Sequence, residues 1–302
     1  MYCRGETSTV TVFAPAKLNL FLNVLGKRSD GYHELETLMV TVGLYDTLSF
    51  SRDPTGGLTL NCQSAFRASR DMPARELPGP GEDNLVFRAA RLLQSATRTR
   101  LGAKIVLVKR IPLAAGLAGG SSDAAATLLG LNRLWNLKLT VPELTALAGK
   151  LGSDVPFFLC PSPAAICRGR GEVLEPLRLA SRFWFVVARP QSGLSTSEVY
   201  RHCRPSSMVR SAGDLAVRLA QGHVQAAAGL FHNSLQEPAE RLCPDVTRLK
   251  TAFARQPFAG HMMSGSGTSY FGMCRSRRQA VQLASRLKAM RLGDVFAVSS
   301  RP

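Results

Sequence analysis

A glycine-rich stretch that ends in serines is the part of this sequence best suited to chemistry. Glycine lets the backbone adopt positive φ and lie close to a ligand, and Ser121, Ser122 and Asp123 are residue types that cap helices. A helix N-terminus, with its free N–H groups and partial positive charge, binds anions. The stretch therefore predicts a phosphate-binding loop whose helix begins directly after the glycines. Its residues are Pro112, Leu113, Ala114, Ala115, Gly116, Leu117, Ala118, Gly119, Gly120, Ser121 and Ser122.

The flanking segments predict the elements that hold this loop. Residues 104–108 are apolar in the manner of a strand, and residues 124–135 are rich in Ala and Leu, with no Pro. The loop therefore connects a strand to a helix. It lacks the lysine of the Walker motif and the glycine spacing of dinucleotide-binding motifs, and a flexible loop capped by serine is the alternative.

A second group of polar residues lies on a predicted strand near the N-terminus. Residues 10–24 alternate with period two, so Lys17, Asn19 and Asn23 share the face opposite the aliphatic residues. An ammonium group and two amides on one face suit a substrate, but they could also form the solvated side of the strand.

Two further candidates follow along the chain. Tyr32 and His33 lie in a turn-rich segment between predicted strands, where two flat side chains could stack on a base or simply pack the turn. Asp154 follows a helix that is predicted to begin at a Thr140 cap and run to Gly152. Asp154 could act as a base or cap the next short helix.

The composition is that of a globular protein with a strong positive charge. Of 302 residues, 45% are hydrophobic and 20% charged; no run approaches a membrane span, and the N-terminus has no apolar signal segment. Seven scattered cysteines without Cys-x-x-Cys spacing predict neither a disulfide nor zinc, and we expect a cytoplasmic protein. The net charge of +17 comes from dispersed arginines, so an anionic small molecule is favoured over specific nucleic acid.

The remaining segments predict a mixture of helices and strands. Residues 53–84 are rich in Pro, Gly and Arg and predict a loop or small insertion, and residues 165–177 predict a hairpin. From residue 181 onward we expect a compact α+β domain, which includes one long helix over residues 237–254.

The phosphate-loop sequence resembles a known ATP-binding motif. The spacing of Pro112, Gly116-Leu117 and the Ser121-Ser122 pair is similar to that of the GHMP kinases, the superfamily of galactokinase, homoserine kinase, mevalonate kinase and phosphomevalonate kinase. The fuller form, with Gly119-Gly120 before the serines, is most similar to the branch that phosphorylates a cytidine-diphosphate alcohol in isoprenoid precursor synthesis. That branch usually has Gly where this chain has Ala114, Ala115 and Ala118, and the extra methyl groups are expected to narrow the loop. Four other segments match in the same order: 15–20, 28–35, 152–158 and 264–268.

The resemblance implies a fold and a separate role for each domain. We expect an α+β GHMP kinase fold, with a ribosomal-protein-like N-terminal domain that binds ATP (1–180), a ferredoxin-like C-terminal domain that binds substrate (181–302), and the active site in the cleft between them. Asp154 would be the catalytic base and Lys17 would lie beside the reacting hydroxyl. The implied substrate-binding residues are Asn19, Tyr32, His33, Thr196 and Tyr200. The implied third motif, which packs beside the ATP loop or forms a plain hairpin turn, is Ser264, Gly265, Ser266 and Gly267.

The implied activity is ATP-dependent phosphorylation of a small cytidine-diphosphate alcohol. Mg²⁺ is expected to arrive with ATP, and no sequence motif assigns it a protein ligand. We expect a monomer or homodimer with no membrane and no specific nucleic-acid partner. The alternatives are a homoserine or mevalonate type of GHMP kinase, and an RNA-binding protein of related fold that only the charge suggests.

Overall fold

The computed structural model describes residues 1–4, 8–65, 77–205 and 210–300. The chain forms two compact units. The first comprises residues 1–16, 44–113 and 118–159, and the second comprises residues 17–43, 114–117 and the chain from Cys160 onward. Two of the divisions fall inside long strands, β2 (Thr9–Lys27) and β3 (His33–Asp53), so each of these strands contributes to both units.

The first unit combines a sheet segment with helices. Within it, the start of β2 pairs antiparallel with the short strand β1 (Tyr2–Arg4). The end of β3 pairs antiparallel with β5 (Gly102–Lys109), and β5 pairs in parallel with β4 (Leu58–Ser64). Its helices are α1 (Leu85–Thr97), α2 (Gly119–Leu134) and α3 (Val141–Leu151), followed by a 3-10 turn at Pro156–Leu159.

The helix boundaries of the first unit follow from local capping chemistry. The Asn84 side chain accepts a hydrogen bond from the Val86 N–H and starts α1. At α3, the Thr140 hydroxyl and the Glu143 carboxylate each bond the other residue's backbone N–H, and Pro142 occupies the first turn. The predicted capping box at Thr140 is therefore confirmed.

The second unit contains sheet segments and shorter helices. The start of β3 pairs with β6 (Ala164–Gly169), which pairs with β7 (Val173–Leu177), and β2 pairs in parallel with β9 (His232–Asn233). A separate antiparallel sheet has the order β10 (Gly260–Met263), β11 (Tyr270–Cys274), β8 (Trp184–Arg189), β12 (Asp294–Ser299). The helices are α4 (Thr196–Arg201), α5 (Ala212–Ala220), α6 (Val224–Ala228), α7 (Gln236–Leu242), α8 (Pro244–Ala254) and α9 (Arg277–Ala289).

Helices and strands are both present in each unit, and the predicted α+β fold class is confirmed. None of the helices in the described ranges is long and apolar enough to cross a membrane.

Two predictions about local structure are wrong. The single helix over 237–254 is two helices, because Pro244 cannot continue α7 and disfavours the helical conformation of Cys243, which is extended at φ −139°. The segment over 53–84, predicted as a loop or small insertion, contains β4, so it is not a plain loop; Leu58, Leu60 and Cys62 of β4 turn to the less exposed side. Residues 66–76 of that segment lie outside the described residues.

Close packing of α2 on the sheet depends on one glycine. A Cβ added at Gly130 would lie 2.6 Å from Cδ2 of Phe50, a fully buried side chain on β3. Glycine is unfavourable inside a helix, so its presence here reflects the approach of helix to strand. By contrast, a Cβ at Gly149 in α3 would have no neighbouring atom within 4 Å.

This contrast predicts opposite effects for two matched substitutions. Gly130→Ala should lower the free energy of unfolding by about 1–3 kcal/mol, because it overpacks the contact with Phe50. Gly149→Ala should raise it by about 0.5–1 kcal/mol through helix propensity and a stiffer unfolded chain. Urea denaturation of both variants measures the difference, and a stabilised Gly130→Ala protein would contradict the packing argument.

Candidate active site

The helix after the glycines begins earlier than its serines suggest. It starts at Gly119, and its N-cap is Ala118, which offers no side-chain hydrogen bond. The expectation that serine caps the helix is therefore wrong, since Ser122 and Asp123 lie inside the helix and are buried. The Ser122 N–H donates to the Ala118 carbonyl at 3.0 Å, so the N–H groups of the preceding helical residues have no acceptor within the helix.

The phosphate loop takes the left-handed backbone conformation at alanine as well as at glycine. Ala114 (φ 48°), Gly116 (φ 69°) and Ala118 (φ 52°) have positive φ, whereas Ala115 does not. The conformation costs a residue with a Cβ about 1–2 kcal/mol. A glycine preference at positions 114 and 118 thus has a direct backbone reason, and this reason does not apply at position 115.

A buried charge cluster, formed by Asp46, Lys109 and Asp123, lies beside the start of α2 in the first unit. The Lys109 ammonium donates to Oδ2 of Asp123 at 2.7 Å and to Oδ2 of Asp46. Burial raises the pKa of Asp123 to about 8; the Lys109 charge opposes this rise and the Asp46 charge adds to it. Burial disfavours the Lys109 charge, but the Asp123 and Asp46 carboxyls together raise its pKa. Sequence reasoning considered Asp123 only as a helix cap and missed Asp46 and Lys109.

In the second unit, the polar face of β2 is a buried site and not a solvated surface. Lys17 and Asn19 are 4% and 2% exposed, so the alternative of a solvated strand face is wrong. The Lys17 ammonium donates to Oδ1 of Asn19, whose Nδ2 donates to the Thr37 hydroxyl at 2.8 Å. Buried polar groups need such partners.

The third motif forms the connection between β10 and β11 and also contacts the phosphate loop. The Ser264 hydroxyl donates to the Gly116 carbonyl at 3.0 Å and accepts the Asn19 N–H at 3.3 Å. A Cβ at Gly265 would lie 3.3 Å from the Lys17 ammonium. The third motif is therefore a hairpin connection that also contacts this loop, and its place beside bound ATP stays a prediction.

Two other residues hold the third motif in place. The buried Asn233 amide donates to the carbonyls of Met263 and Gly265 at 2.9 and 2.8 Å. The Thr196 and Ser266 hydroxyls lie 2.9 Å apart, which brings a predicted substrate residue to the motif. Asn233 was missed, since nothing in its local sequence signals a role.

The predicted aromatic residues lie together on the second unit. His33 and Tyr200 have ring centroids 5.1 Å apart, and Tyr32 is 52% exposed with the Arg170 guanidinium 4.7 Å from its ring centroid. Burial, with the Lys27 charge, lowers the pKa of His33 and so favours its neutral imidazole. Arg170 was not singled out in the sequence, although its predicted hairpin was.

Tyr32 lies in a turn that hydrogen bonds and ion pairs stabilise. The Arg28 N–H donates to the Tyr32 carbonyl at 2.8 Å, and the Tyr32 N–H donates to Asp30 at 3.1 Å. The Arg28 guanidinium pairs with both Asp30 and Glu34. The ring therefore projects from a defined backbone.

Asp154 lies in the first unit, half-buried in the turn between α3 and the 3-10 turn. Its functional link with Lys17, which belongs to the second unit, stays a prediction. Within the described ranges, no group of three or more His, Cys, Asp or Glu side chains could hold a metal ion.

Comparison with known proteins identifies the class first. The family "GHMP kinases N terminal domain" matches residues 84–162, and "GHMP kinases C terminal" matches residues 209–291. The chain is thus an enzyme, a kinase of the GHMP fold that uses ATP.

Relatives then narrow the class to one family. The chain is 41% identical over 281 residues to the 4-diphosphocytidyl-2-C-methyl-D-erythritol kinase of Pelotomaculum thermopropionicum, which covers 92% of this chain and 94% of the relative. It is 37% identical to the enzyme of that name from Shouchella clausii, over 95% of this chain and 93% of the relative. The chain belongs to the 4-diphosphocytidyl-2-C-methyl-D-erythritol kinase family.

Solved structures agree with this assignment. A crystal structure of 4-(cytidine 5'-diphospho)-2C-methyl-D-erythritol kinase matches with a TM-score of 0.79 and 36% identity, over 97% of this chain and 99% of that one. A homoserine kinase from Cytophaga hutchinsonii matches with a TM-score of 0.73 at 18% identity, over 100% of this chain and 97% of that one, which shows the shared fold alone. These findings do not favour the homoserine kinase, mevalonate kinase or RNA-binding alternatives.

The loop conformation predicts a difference between two Ala→Gly substitutions. Ala118→Gly should leave the free energy of unfolding unchanged or raise it by up to about 1 kcal/mol, since relief of the left-handed strain outweighs the more flexible unfolded chain. Ala115→Gly should lower it by at least about 0.5 kcal/mol, because no strain is relieved and a buried methyl is lost. Thermal denaturation compares the two. Equal destabilisation of both variants would contradict the backbone explanation.

Proposed function

We propose that the protein transfers the γ-phosphoryl group of ATP to the 2-hydroxyl of 4-diphosphocytidyl-2-C-methyl-D-erythritol, in the non-mevalonate pathway of isoprenoid precursors. The observation that carries this proposal is the full-length similarity to kinases named for this substrate, at 41% and 37% identity. The aromatic group of Tyr32, His33 and Tyr200 supports it, since a cytidine substrate needs a surface for its base.

The start of α2 would bind the ATP phosphates. Its first N–H groups have no acceptor within the helix, and the helix dipole favours a negative charge there. We assign the segment from Pro112 to Ser122 to ATP, with the third motif, Ser264 to Gly267, supporting the loop through the contact between Ser264 and Gly116.

Lys17 and Asp154 would carry the chemistry at the acceptor. We assign Asp154 the role of accepting or orienting the proton of the acceptor hydroxyl, and Lys17 that of stabilising the negative charge that develops during transfer. Phosphoryl transfer needs little covalent chemistry from a protein, so positioning and charge account for most of the rate. The buried ammonium of Lys17, held by Asn19, suits a fixed charge of this kind.

The substrate base would be held by the second unit. Tyr32 has an exposed ring on a braced turn, and His33 and Tyr200 form an adjacent aromatic pair. The neutral imidazole of His33 can both donate and accept a hydrogen bond at a pyrimidine edge. Thr196 and Asn19 would contact the rest of the substrate.

Mg²⁺ would enter as the complex with ATP. The described residues offer no dedicated cage of three or more side-chain ligands, and Mg²⁺ is commonly held through substrate phosphates with few protein ligands. The site chemistry therefore fits an ion held mainly by the nucleotide. When bound, the ion would neutralise charge on the β- and γ-phosphate oxygens.

We also propose a cytoplasmic location for the enzyme. Free cysteines at six described positions suit the reducing cytoplasm. We further propose a monomer or homodimer, a domain boundary near residue 180, and no specific nucleic-acid partner, the last because the basic residues are dispersed along the chain.

The substrate assignment is tested by a parallel acceptor assay. Purified protein with ATP and Mg²⁺ should phosphorylate the cytidine compound and not homoserine, mevalonate or galactose. Tyr32→Ala should raise the KM for the cytidine compound by roughly 5- to 150-fold, the range of one lost stacking contact, with the KM for ATP unchanged.

Activity on homoserine or mevalonate in place of the cytidine compound would leave only the GHMP kinase class. An equal rise of both KM values in Tyr32→Ala would contradict the role of this ring in base recognition.

The catalytic assignment is tested by two substitutions with matched controls. Lys17→Met and Asp154→Asn should each lower kcat by at least ~100-fold, the scale of a positioned acid–base group. Lys27→Met, on the same strand as Lys17, and Asp83→Asn, in an exposed turn, should retain kcat. Thermal denaturation checks that each variant is folded. A folded Asp154→Asn or Lys17→Met protein with near wild-type turnover would remove that residue from the mechanism.

A further inference from the structure

The Asp46–Lys109–Asp123 cluster joins three elements of the first unit. Asp46 lies on β3, Lys109 is the last residue of β5, and Asp123 lies in the second turn of α2. Their exposures are 0%, 5% and 1%, so all three are removed from water. Burial of charges is costly, and apolar residues of similar volume are often as stable. A stabilising role alone therefore does not explain the cluster.

The cluster is connected to both ends of the phosphate loop. Oδ1 of Asp46 accepts the Ile111 N–H at 2.9 Å and the Arg110 N–H, which fixes the chain where it leaves β5. Asp123 attaches the start of α2 to the same ammonium. A Cβ at Gly119 would lie 3.2 Å from the Lys109 ammonium and 2.9 Å from the Ile111 side chain. The cluster thus packs directly against the first residue of the helix.

We propose that Asp46, Lys109 and Asp123 are positioning residues for ATP, because they hold the loop entrance and the first turns of α2 at a fixed separation. The inference rests on the proposed function, which assigns the phosphates to the N-terminus of α2. Misplacement of the N–H groups by a fraction of an ångström weakens every phosphate contact they make.

The two carboxyl groups have different parts in the cluster. Asp46 uses both oxygens, one for backbone N–H groups and one for Lys109. Asp123 uses only Oδ2, and its buried Oδ1 has no hydrogen-bond partner among the described residues. An asparagine at position 123 can therefore keep its oxygen towards Lys109 and place its NH₂ group where Oδ1 has no partner. An asparagine at position 46 would instead turn its NH₂ group towards another donor, either Lys109 or a backbone N–H.

The protonation of Asp123 also sets this carboxyl group apart from Asp46. Burial raises the pKa of Asp123 from the usual 3.8 to about 8, so its carboxyl binds a proton more readily than an exposed carboxyl does and releases it as the pH rises. Its titratable neighbours are Asp46, Lys109 and Cys62, the last on β4 with a thiol pKa raised by burial. Loss of the proton adds a negative charge to the cluster beside the phosphate site. ATP binding should therefore weaken as pH rises from 7 to 9.

The test compares ATP binding and turnover of the purified full chain. Lys109→Met and Asp46→Asn should raise the Kd for ATP, measured by calorimetry, and the KM for ATP by at least about tenfold, with kcat at saturating ATP within about threefold. Lys104→Met, an exposed lysine on the same strand, should match wild type, and Lys109→Arg should restore part of the affinity. Wild type should bind ATP more weakly at pH 9 than at pH 7, whereas Asp123→Asn should bind equally at both.

The outcomes separate the possibilities. A folded Lys109→Met protein with a lower Tm and a wild-type Kd for ATP would show a merely structural cluster and overturn the inference. Should that variant not fold, a folded Asp46→Asn protein with a wild-type Kd for ATP would overturn it instead. Failure of wild type itself to bind ATP would refute the proposed function and not the cluster geometry.

Discussion

The proposed chemistry depends on the N–H groups at the start of α2 that have no acceptor within the helix. Such groups attract phosphate only when the backbone that carries them is held still. In the first unit, the helix is fixed against β3 by the missing side chain at Gly130, and its first turns are fixed by Lys109. On the proposed function, Gly130 and Lys109 would thus influence phosphate binding by holding the backbone that carries these N–H groups, without touching the phosphate themselves.

In the second unit the same residues serve structure and chemistry. Lys17 and Asn19 are buried polar groups, which are stable only with hydrogen-bond partners. Asn19 finds them in Thr37 and in the third motif, and the third motif is held in turn by the Asn233 amide. Because each of these polar groups supplies a hydrogen-bond partner for the next, the fold determines the orientation of the Lys17 ammonium. A substrate would meet a preorganised charge and not a mobile one.

Features with a local signal could be predicted from the sequence, and features formed by distant residues could not. The Thr140 capping box, the turn that carries Tyr32 and the strand before the loop all have short-range patterns. Lys109 and Asp46 are 63 residues apart, and no pattern links them. The helix begins at Gly119, before the residues with a cap preference, and Asp123 instead lies inside the helix, where it accepts a hydrogen bond from Lys109. The break at Pro244 does have a local signal, since proline cannot continue a helix.

The three alanines of the phosphate loop also differ in ways that the sequence does not reveal. All three were expected to narrow the loop, yet the Ala115 side chain is buried, whereas Ala114 is exposed and Ala118 is half-buried. The Ala115 methyl is therefore withdrawn from the loop surface, and its carbonyl accepts the Ser269 N–H at 3.2 Å. Only Ala114 and Ala118 combine an accessible methyl with positive φ. On the proposed function, a direct effect of alanine on nucleotide affinity is therefore expected at these two positions, where the backbone strain and the added bulk coincide.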